Sequence, residues 1–361
     1  MFLNKSLLFL FLAFLLSNKI IAQEITTDES YEISEIIIDG NKITKEKIIY
    51  RELLFKEGDV VSKTELQNLV VRSKENLLNT SLFNFVTIET IPGFSNTVRI
   101  IIILQERWYV WPYPILEQAD RNVSSFLKNQ QWSRIDYGLY VLINNFRGRQ
   151  EILKLKTIFG YNNSFILYYK KPYIDRKQKL GTGIDLFYFR NHEIPYQVTF
   201  DELEYLKLTD KYARKTIKLS HFYTYRPHIY INHFLNLKYT NVVIEDSVLL
   251  LNDNYLFDNK KEISFFTIGY NFDFDKRDSK IYPLKGYRIF FSATKNGLGI
   301  FSTKGNLVLN SNLEENYQIM NRIYLNTGIF GQMNFNHDNS FYFSEAIGYK
   351  NYLREIGRAH V

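Results

Sequence analysis

The chain has 361 residues, of which 45% are hydrophobic and 16% aromatic, with 29 Phe and 27 Tyr, enough for two domains. Its net charge of +7 comes from Lys and Arg spread along the chain without clustering on one helix or patch, which argues against nucleic acid as a partner. The lack of cysteine excludes a disulfide framework, a thiolate metal site and a lipid-modified cysteine anchor.

Lys5 precedes an apolar run over 7–16, and Ala22-Gln23 follow a short polar break. These are the three regions of a secretory signal peptide, so 1–22 reads as a signal and the mature chain is expected to begin near Gln23. The run falls short of the roughly 20 residues that span a bilayer. No later window approaches a transmembrane helix, so the exported chain either stays in the periplasm or enters a membrane as a barrel.

Residues 23–30 form a polar lead-in. Alternation over 31–39 predicts a strand ending at Gly40-Asn41, and 44–54 carries Ile48, Ile49 and Leu53 at helical spacing. Gly58-Asp59 breaks the chain, and Ser62 is placed to cap a helix over 63–79 that buries Leu66, Leu69, Val70, Leu77 and Leu78. Strands over 83–91 and 97–106 follow, joined by Pro92-Gly93. The order is β-α-α-β-β over 31–107, a small α+β module.

Trp108-Tyr109-Val110-Trp111-Pro112-Tyr113-Pro114 reads as a hinge, and only strands are predicted beyond it. Eleven fit: 111–120, 134–145, 150–161, 165–173, 180–189, 213–225, 229–243, 263–274, 287–295, 301–313 and 322–335. The eighth is the clearest, with Phe266, Ile268, Tyr270, Phe272 and Phe274 on one face and Thr267, Gly269, Asn271 and Asp273 on the other. Tyr287, Ile289 and Phe291 resume the apolar face against Arg288 and Ser292. One apolar face suits either a sandwich core or a barrel with lipid outside and a polar lumen. Connection lengths separate the two, because barrels of this kind keep periplasmic turns short. Arg147-Gly148 and Arg226-Pro227-His228, both even-to-odd connections, are very short; 190–212 and 244–262, on the opposite side, are the longest, although Asn162-Asn163-Ser164 and Gly297-Leu298-Gly299 are short there too, so the rule holds as a tendency.

The residues also carry a resemblance. Ile36-Ile37-Ile38-Asp39-Gly40-Asn41-Lys42-Ile43-Thr44, Arg51-Glu52-Leu53, Glu57-Gly58-Asp59 and Leu82-Phe83-Asn84-Phe85-Val86 resemble a polypeptide-transport-associated (POTRA) domain. Asp275-Lys276-Arg277-Asp278, followed by Pro283 and Gly286, resembles a turn between the eighth and ninth strands of the BamA/TamA superfamily of outer-membrane assembly barrels, also called the bacterial surface antigen family. Leu353-Arg354 sits where that family has a hydrophobic-Arg-Gly-aromatic motif in a loop that folds into the lumen. Here Glu355-Ile356 replace the Gly and the aromatic, and 355–361 reads as a translated sequencing adapter. The resemblance therefore implies a periplasmic POTRA domain followed by an antiparallel transmembrane β-barrel over 108–354, with about 11 strands present of about 16.

That resemblance implies a function without catalysis or cofactor: insertion or translocation of polypeptides at the bacterial outer membrane. The implied partners are unfolded outer-membrane polypeptide clients, outer-membrane lipid, and periplasmic or lipoprotein factors. Strand addition at a sheet edge is the expected binding mode. Candidate contacts are Phe83, Phe85, Thr87, Glu89 and Ile91 on the edge strand, and the first barrel strand, while Arg354 would anchor the lumen loop to a carboxylate. The alternative is a passive pore or surface-structural barrel whose periplasmic domain only docks. Asp273, Asp275 and Asp278 lack the spacing of a calcium loop, and His221, His228 and His233 lack that of a zinc site, so no metal is expected.

Overall fold

Two sheets and a hairpin organise the chain. The computed structural model describes residues 29–118, 134–200, 202–302, 305–336 and 340–343. The signal segment, Leu353, Arg354 and the 355–361 tail lie outside the described residues.

The first unit runs β1 (Ser30–Asp39), α1 (Glu46–Tyr50), β2 (Val60–Ser62), α2 (Lys63–Asn79), β3 (Phe83–Pro92) and β4 (Thr97–Glu106), with strand order β2-β1-β4-β3. Strand β1 is parallel to β4 and antiparallel to β2. In β4, Val98, Ile100, Ile102 and Leu104 alternate into the core. In β1 the register shifts between Ile33 and Glu35, and that irregularity lets both Ile33 and Ile36 face inward although they are three apart. Ile48 and Ile49 of α1 and Leu66 and Leu77 of α2 close over this face.

The capping expectation holds: the Ser62 hydroxyl accepts from the Glu65 backbone N–H at 3.3 Å, satisfying one free donor of the first turn. Two expectations need correction. Strand β2, three residues long, interrupts the expected β-α-α-β-β order. Leu78 is exposed, and Ser73 and Asn76 take the buried helix face instead. The reason is polar: Ser73 Oγ accepts from Leu54 N at 2.9 Å and Asn76 Nδ2 donates to Glu52 O at 3.1 Å, pairing backbone groups that would otherwise be buried unsatisfied.

The second sheet contains β5 (Val110–Gln118), β6 (Ile135–Phe146), β7 (Glu151–Gly160), β8 (Asn163–Lys171), β9 (Leu180–Asn191), β12 (Arg214–His228), β13 (Ile231–Ile244), β14 (Glu262–Asp275), β15 (Gly286–Asn296), β16 (Asn306–Met320) and β17 (Ile323–Asn336). Neighbours in this order pair antiparallel, and the eleven strands match the eleven expected from alternation. The outer parity is apolar and exposed, as in Leu235, Leu237, Ile268, Tyr270, Ile289 and Phe291. The inner parity is polar. Thr267, Asn296, Asn306 and Asn334 form a hydrogen-bonded chain across β14 to β17, with contacts of 2.9, 2.8 and 2.9 Å.

The two connections expected as long loops hold structure of their own: the hairpin β10 (Glu193–Thr199) and β11 (Glu202–Lys207), and helix α3 (Asp246–Leu251). Ile194, Val248, Tyr255 and Leu256 pack with Ile263 and Phe265, where β14 turns apolar on its inner face. The strand expected from residue 301 starts later, at Asn306. Phe301 sits at positive φ in a 3-10 turn and stacks on Phe266 instead.

Candidate functional site

The POTRA-like unit sits against four connections of the large sheet. Lys45 N donates to Gly148 O (2.9 Å), Arg51 Nε to Gln178 O (2.8 Å), and Asn79 Nδ2 to Asp278 O (3.0 Å), while Lys280 N donates to Asn79 Oδ1 (3.0 Å). Arg226, near the end of β12 beside the β12–β13 connection, completes the set. These are the even-to-odd connections that sequence reasoning assigned to the periplasmic side. Gly148 has a steric reason to be glycine: its φ is +71°, and a Cβ there would lie 2.0 Å from Ile43 O.

Glu52 is the centre of this seam, with 1% of its surface exposed. It accepts a fork from Arg226, Nη1 to Oε1 at 2.6 Å and Nη2 to Oε2 at 2.8 Å, and a third bond from Arg51 Nη1 at 2.9 Å. Arg226 also donates to the Tyr173 hydroxyl at 3.2 Å, and the Arg51 guanidinium lies 4.3 Å from the centre of the Tyr173 ring. Burial alone would raise the Glu52 pKa, but the charges and hydrogen bonds of Arg226 and Arg51 outweigh it and hold the carboxyl below its ordinary range. A second chain of bonds runs from Asn145 Nδ2 to Thr44 Oγ1 (2.8 Å), from there to Tyr109 Oη (3.1 Å), and on to Leu82 O (2.9 Å).

Above the seam lies a cavity of about 890 Å³. Its lining runs from Trp111 and Tyr113 of β5 to Asp273 of β14 and Phe290 of β15, with Glu52, Asn76 and Asn79 on the POTRA side. One cavity touching both β5 and β15 requires the sheet to curl, so the polar face is a lumen and the apolar face its exterior.

The family-type turn is built from its own charges. Asp275 accepts from Arg277 Nε at 2.9 Å and Nη2 at 2.8 Å, and Arg277 Nη1 reaches Glu314 on β16 at 2.8 Å. Asp278 Oδ1 accepts from the backbone N–H of Ser279, Leu284 and Lys285 at 2.8, 3.0 and 3.1 Å, closing the loop through Pro283. Gly286 has φ +95°, and a Cβ would sit 2.3 Å from Lys276 O. Asp273 pairs with Arg288 at 2.8 Å. Among the described residues no group of three or more His, Asp or Glu is placed to hold a metal ion.

Strand β3 lies at the sheet edge and pairs only with β4 among the described residues. Thr87 and Glu89 are exposed and Ile91 half-buried. Phe83 departs from the expected set. A register shift between Phe83 and Phe85 sends Phe83 into the core (3% exposed) while Phe85 is 69% exposed, so the five residues do not share a face. In the large sheet β5 pairs only with β6 among the described residues, and its Pro112 and Pro114 lack backbone donors.

Sequence reasoning singled out Arg51-Glu52 and Arg226 separately but did not join them, nor did it find Tyr173, Lys170 or Lys280. The available signal was a glutamate at the end of an apolar helical pattern, where a buried charge demands a partner.

A small α+β domain docked on the mouth of an antiparallel barrel-like sheet is therefore the class that fold and site define. Residues 31–107 match the family model described as POTRA, surface antigen variable number repeat, and this segment is a POTRA domain. The chain is 36% identical over 80 residues to a "Putative outer membrane protein assembly factor" of Treponema pallidum, covering 22% of this chain and 9% of that protein. It is similar in structure to BamA from Haemophilus ducreyi lacking POTRA domains 1–3, with 16% identity and a TM-score of 0.48, covering 90% of this chain and 60% of that one. CdiB from Escherichia coli is similar at 11% identity and a TM-score of 0.46, covering 87% and 56%. The chain thus spans a small part of its curated relative and under two thirds of these structures.

Proposed function

We propose that this chain is an outer-membrane barrel protein that assists insertion or translocation of other polypeptides, receiving them at the periplasmic POTRA domain by strand addition. The observation that carries the reading is β3: an edge strand of a POTRA domain that the Glu52–Arg226 seam joins to the lumen mouth. An unpaired edge offers a row of N–H and C=O groups to an extended client, and main-chain bonds supply affinity without demanding one client sequence. The exposed Phe85 adds apolar contact beside that row. The role is one of binding and positioning, without catalysis. The passive-pore alternative is disfavoured by the POTRA residues that line one side of the lumen-mouth cavity.

The test is photo-crosslinking of an unfolded outer-membrane polypeptide to the whole protein in membranes, comparing wild type with Thr87→Pro and Phe85→Ala. Thr87 is exposed, so proline alters the edge without opening the core. Crosslinking should fall several-fold in both variants, about the effect of losing one or two net hydrogen bonds or an exposed aromatic contact. Unchanged crosslinking in both, with hydrogen exchange confirming a folded domain, would remove strand addition at β3.

A further inference from the structure

Among the described residues that line the cavity at the seam, positive charges outnumber negative ones. Three carboxylates line it, Glu52, Asp273 and Asp275. Each is already held by arginine: Glu52 by Arg226 and Arg51, Asp273 by Arg288, and Asp275 by Arg277. Lys170 at the end of β8 and Lys280 in the β14–β15 connection line the same space; among the described residues neither forms an ion pair, although Asp275, Glu52 and Asp273 lie within electrostatic reach of Lys280. Arg107 adds a further cation to the wall. Lys170 lies within electrostatic reach of Lys280, Arg226 and Lys154, so like charges converge here from four parts of the chain.

We propose that this cavity is a binding site for a phosphate-type anion, held between Lys170 and Lys280. The chemistry favours phosphate over a lone carboxylate. Arginine's planar fork suits carboxylates, and the forks of Arg226, Arg277 and Arg288 are already spent on them, whereas lysine ammonium groups act as point charges that suit tetrahedral oxyanions. A phosphomonoester brings close to two negative charges at neutral pH, matching the two unpaired ammonium groups. The volume of about 890 Å³ is within the range of small-molecule sites and admits a group much larger than a free ion. Burial and the neighbouring Arg226 charge lower the Lys280 pKa against the opposing pull of Asp275, Glu52 and Asp273, and an anion in the cavity would offset both costs. The shared chemistry is a phosphate; a phosphorylated lipid headgroup and a soluble phosphate are its two sources.

The test uses the full chain in detergent, titrated calorimetrically with inorganic pyrophosphate at about 50 mM salt, where screening leaves the charges effective. Wild type should bind saturably. Lys170→Gln/Lys280→Gln should weaken binding at least about tenfold, as expected for losing two charge-assisted contacts. Because neither lysine is ion-paired, the double variant should melt no lower than wild type, which separates lost binding from lost folding. Lys285→Gln, in the same connection but away from the cavity, should bind as wild type. Absence of saturable heat, or equal binding by the double variant, would overturn the proposal. Vesicles containing phosphatidic acid supply the second arm. Competition with pyrophosphate assigns the site to a lipid headgroup, and lack of competition assigns it to a soluble phosphate. Displacement of pyrophosphate by an acidic peptide at lower concentration than by either phosphate source would overturn the phosphate assignment in favour of a carboxylate-bearing chain.

Discussion

Glu52 is gripped by two guanidinium groups from different domains, and its burial makes the arrangement asymmetric in energy. Removing one partner of a buried pair leaves the other charge desolvated, at a cost of about 3–5 kcal/mol. Glu52→Gln should therefore loosen the seam more than any exposed substitution in the POTRA domain. Hydrogen exchange at 173–179 and 226–230 should speed up by about two to four orders of magnitude, the Boltzmann factor of that penalty, while β13 and β14 stay protected. The pH dependence follows from the lowered Glu52 pKa. The unfolded carboxyl binds a proton more readily than the folded one, so stability rises with pH between the two values. The contribution is complete above the ordinary Glu value of about 4.3 and is lost only as pH falls through the lowered folded value. Seam protection factors, with the intrinsic pH dependence of exchange divided out, should thus be flat from neutral pH down to about 4.3 and decline below it; an opening centred near pH 6 would implicate another group. At this scale the sequence was only half legible. Arg51-Glu52 and Arg226 both stand out as charges in constrained places, but they are 174 residues apart and no local period links them.

Helix α2 tests how far periodicity can assign a face. Leu77 and Leu78 are adjacent and equally apolar, and the helical period allowed both inside. The structure buries Leu77 completely and exposes Leu78, because Ser73 and Asn76 must reach the backbone of 52–54 and so rotate the helix. Leu77→Ala should cost about 2–5 kcal/mol through lost transfer energy and the cavity left behind. Leu78→Ala should stay within about 0.5 kcal/mol, as for other surface sites. Urea unfolding of the whole protein, followed by a probe in the POTRA domain, distinguishes them, and equal effects would mean the helix sits in the other rotation. The cap at Ser62 was readable because capping is local chemistry. Strand β2 was not, since three residues hold no alternation to count and form only by pairing with β1. The Phe83–Phe85 register shift was likewise invisible: an alternating strand and a bulged one share the same residues until a partner strand fixes which of them turn inward.

The large sheet was the most legible part, because one-sided alternation over nine to fifteen residues is a long signal and its physical cause, a solvent difference across the sheet, acts on every strand alike. The same cause fixes a test of the whole molecule. If the outer parity faces lipid, a charge placed mid-strand on that side must enter hydrocarbon, at about 2–4 kcal/mol for arginine near the bilayer midplane. Leu237 is exposed on β13 and sits opposite Ile268 on β14, itself exposed, so the patch is apolar on two adjacent strands. Leu237→Arg should therefore destabilise the protein folded into lipid vesicles by that amount. Asn271→Asp, which also adds one charge but on the lumen side among Arg277, Lys280 and Arg226, should be nearly neutral. Reversible urea titration in vesicles, read by tryptophan fluorescence, reports both. The contrast depends on lipid. In a mild detergent, whose tails adapt around an arginine stem, the Leu237→Arg penalty should shrink, because the charged end can snorkel to water. Equal penalties for the two variants in vesicles, or a penalty for Leu237→Arg that did not depend on lipid, would mean that the apolar parity packs against protein and that this sheet does not cross a membrane.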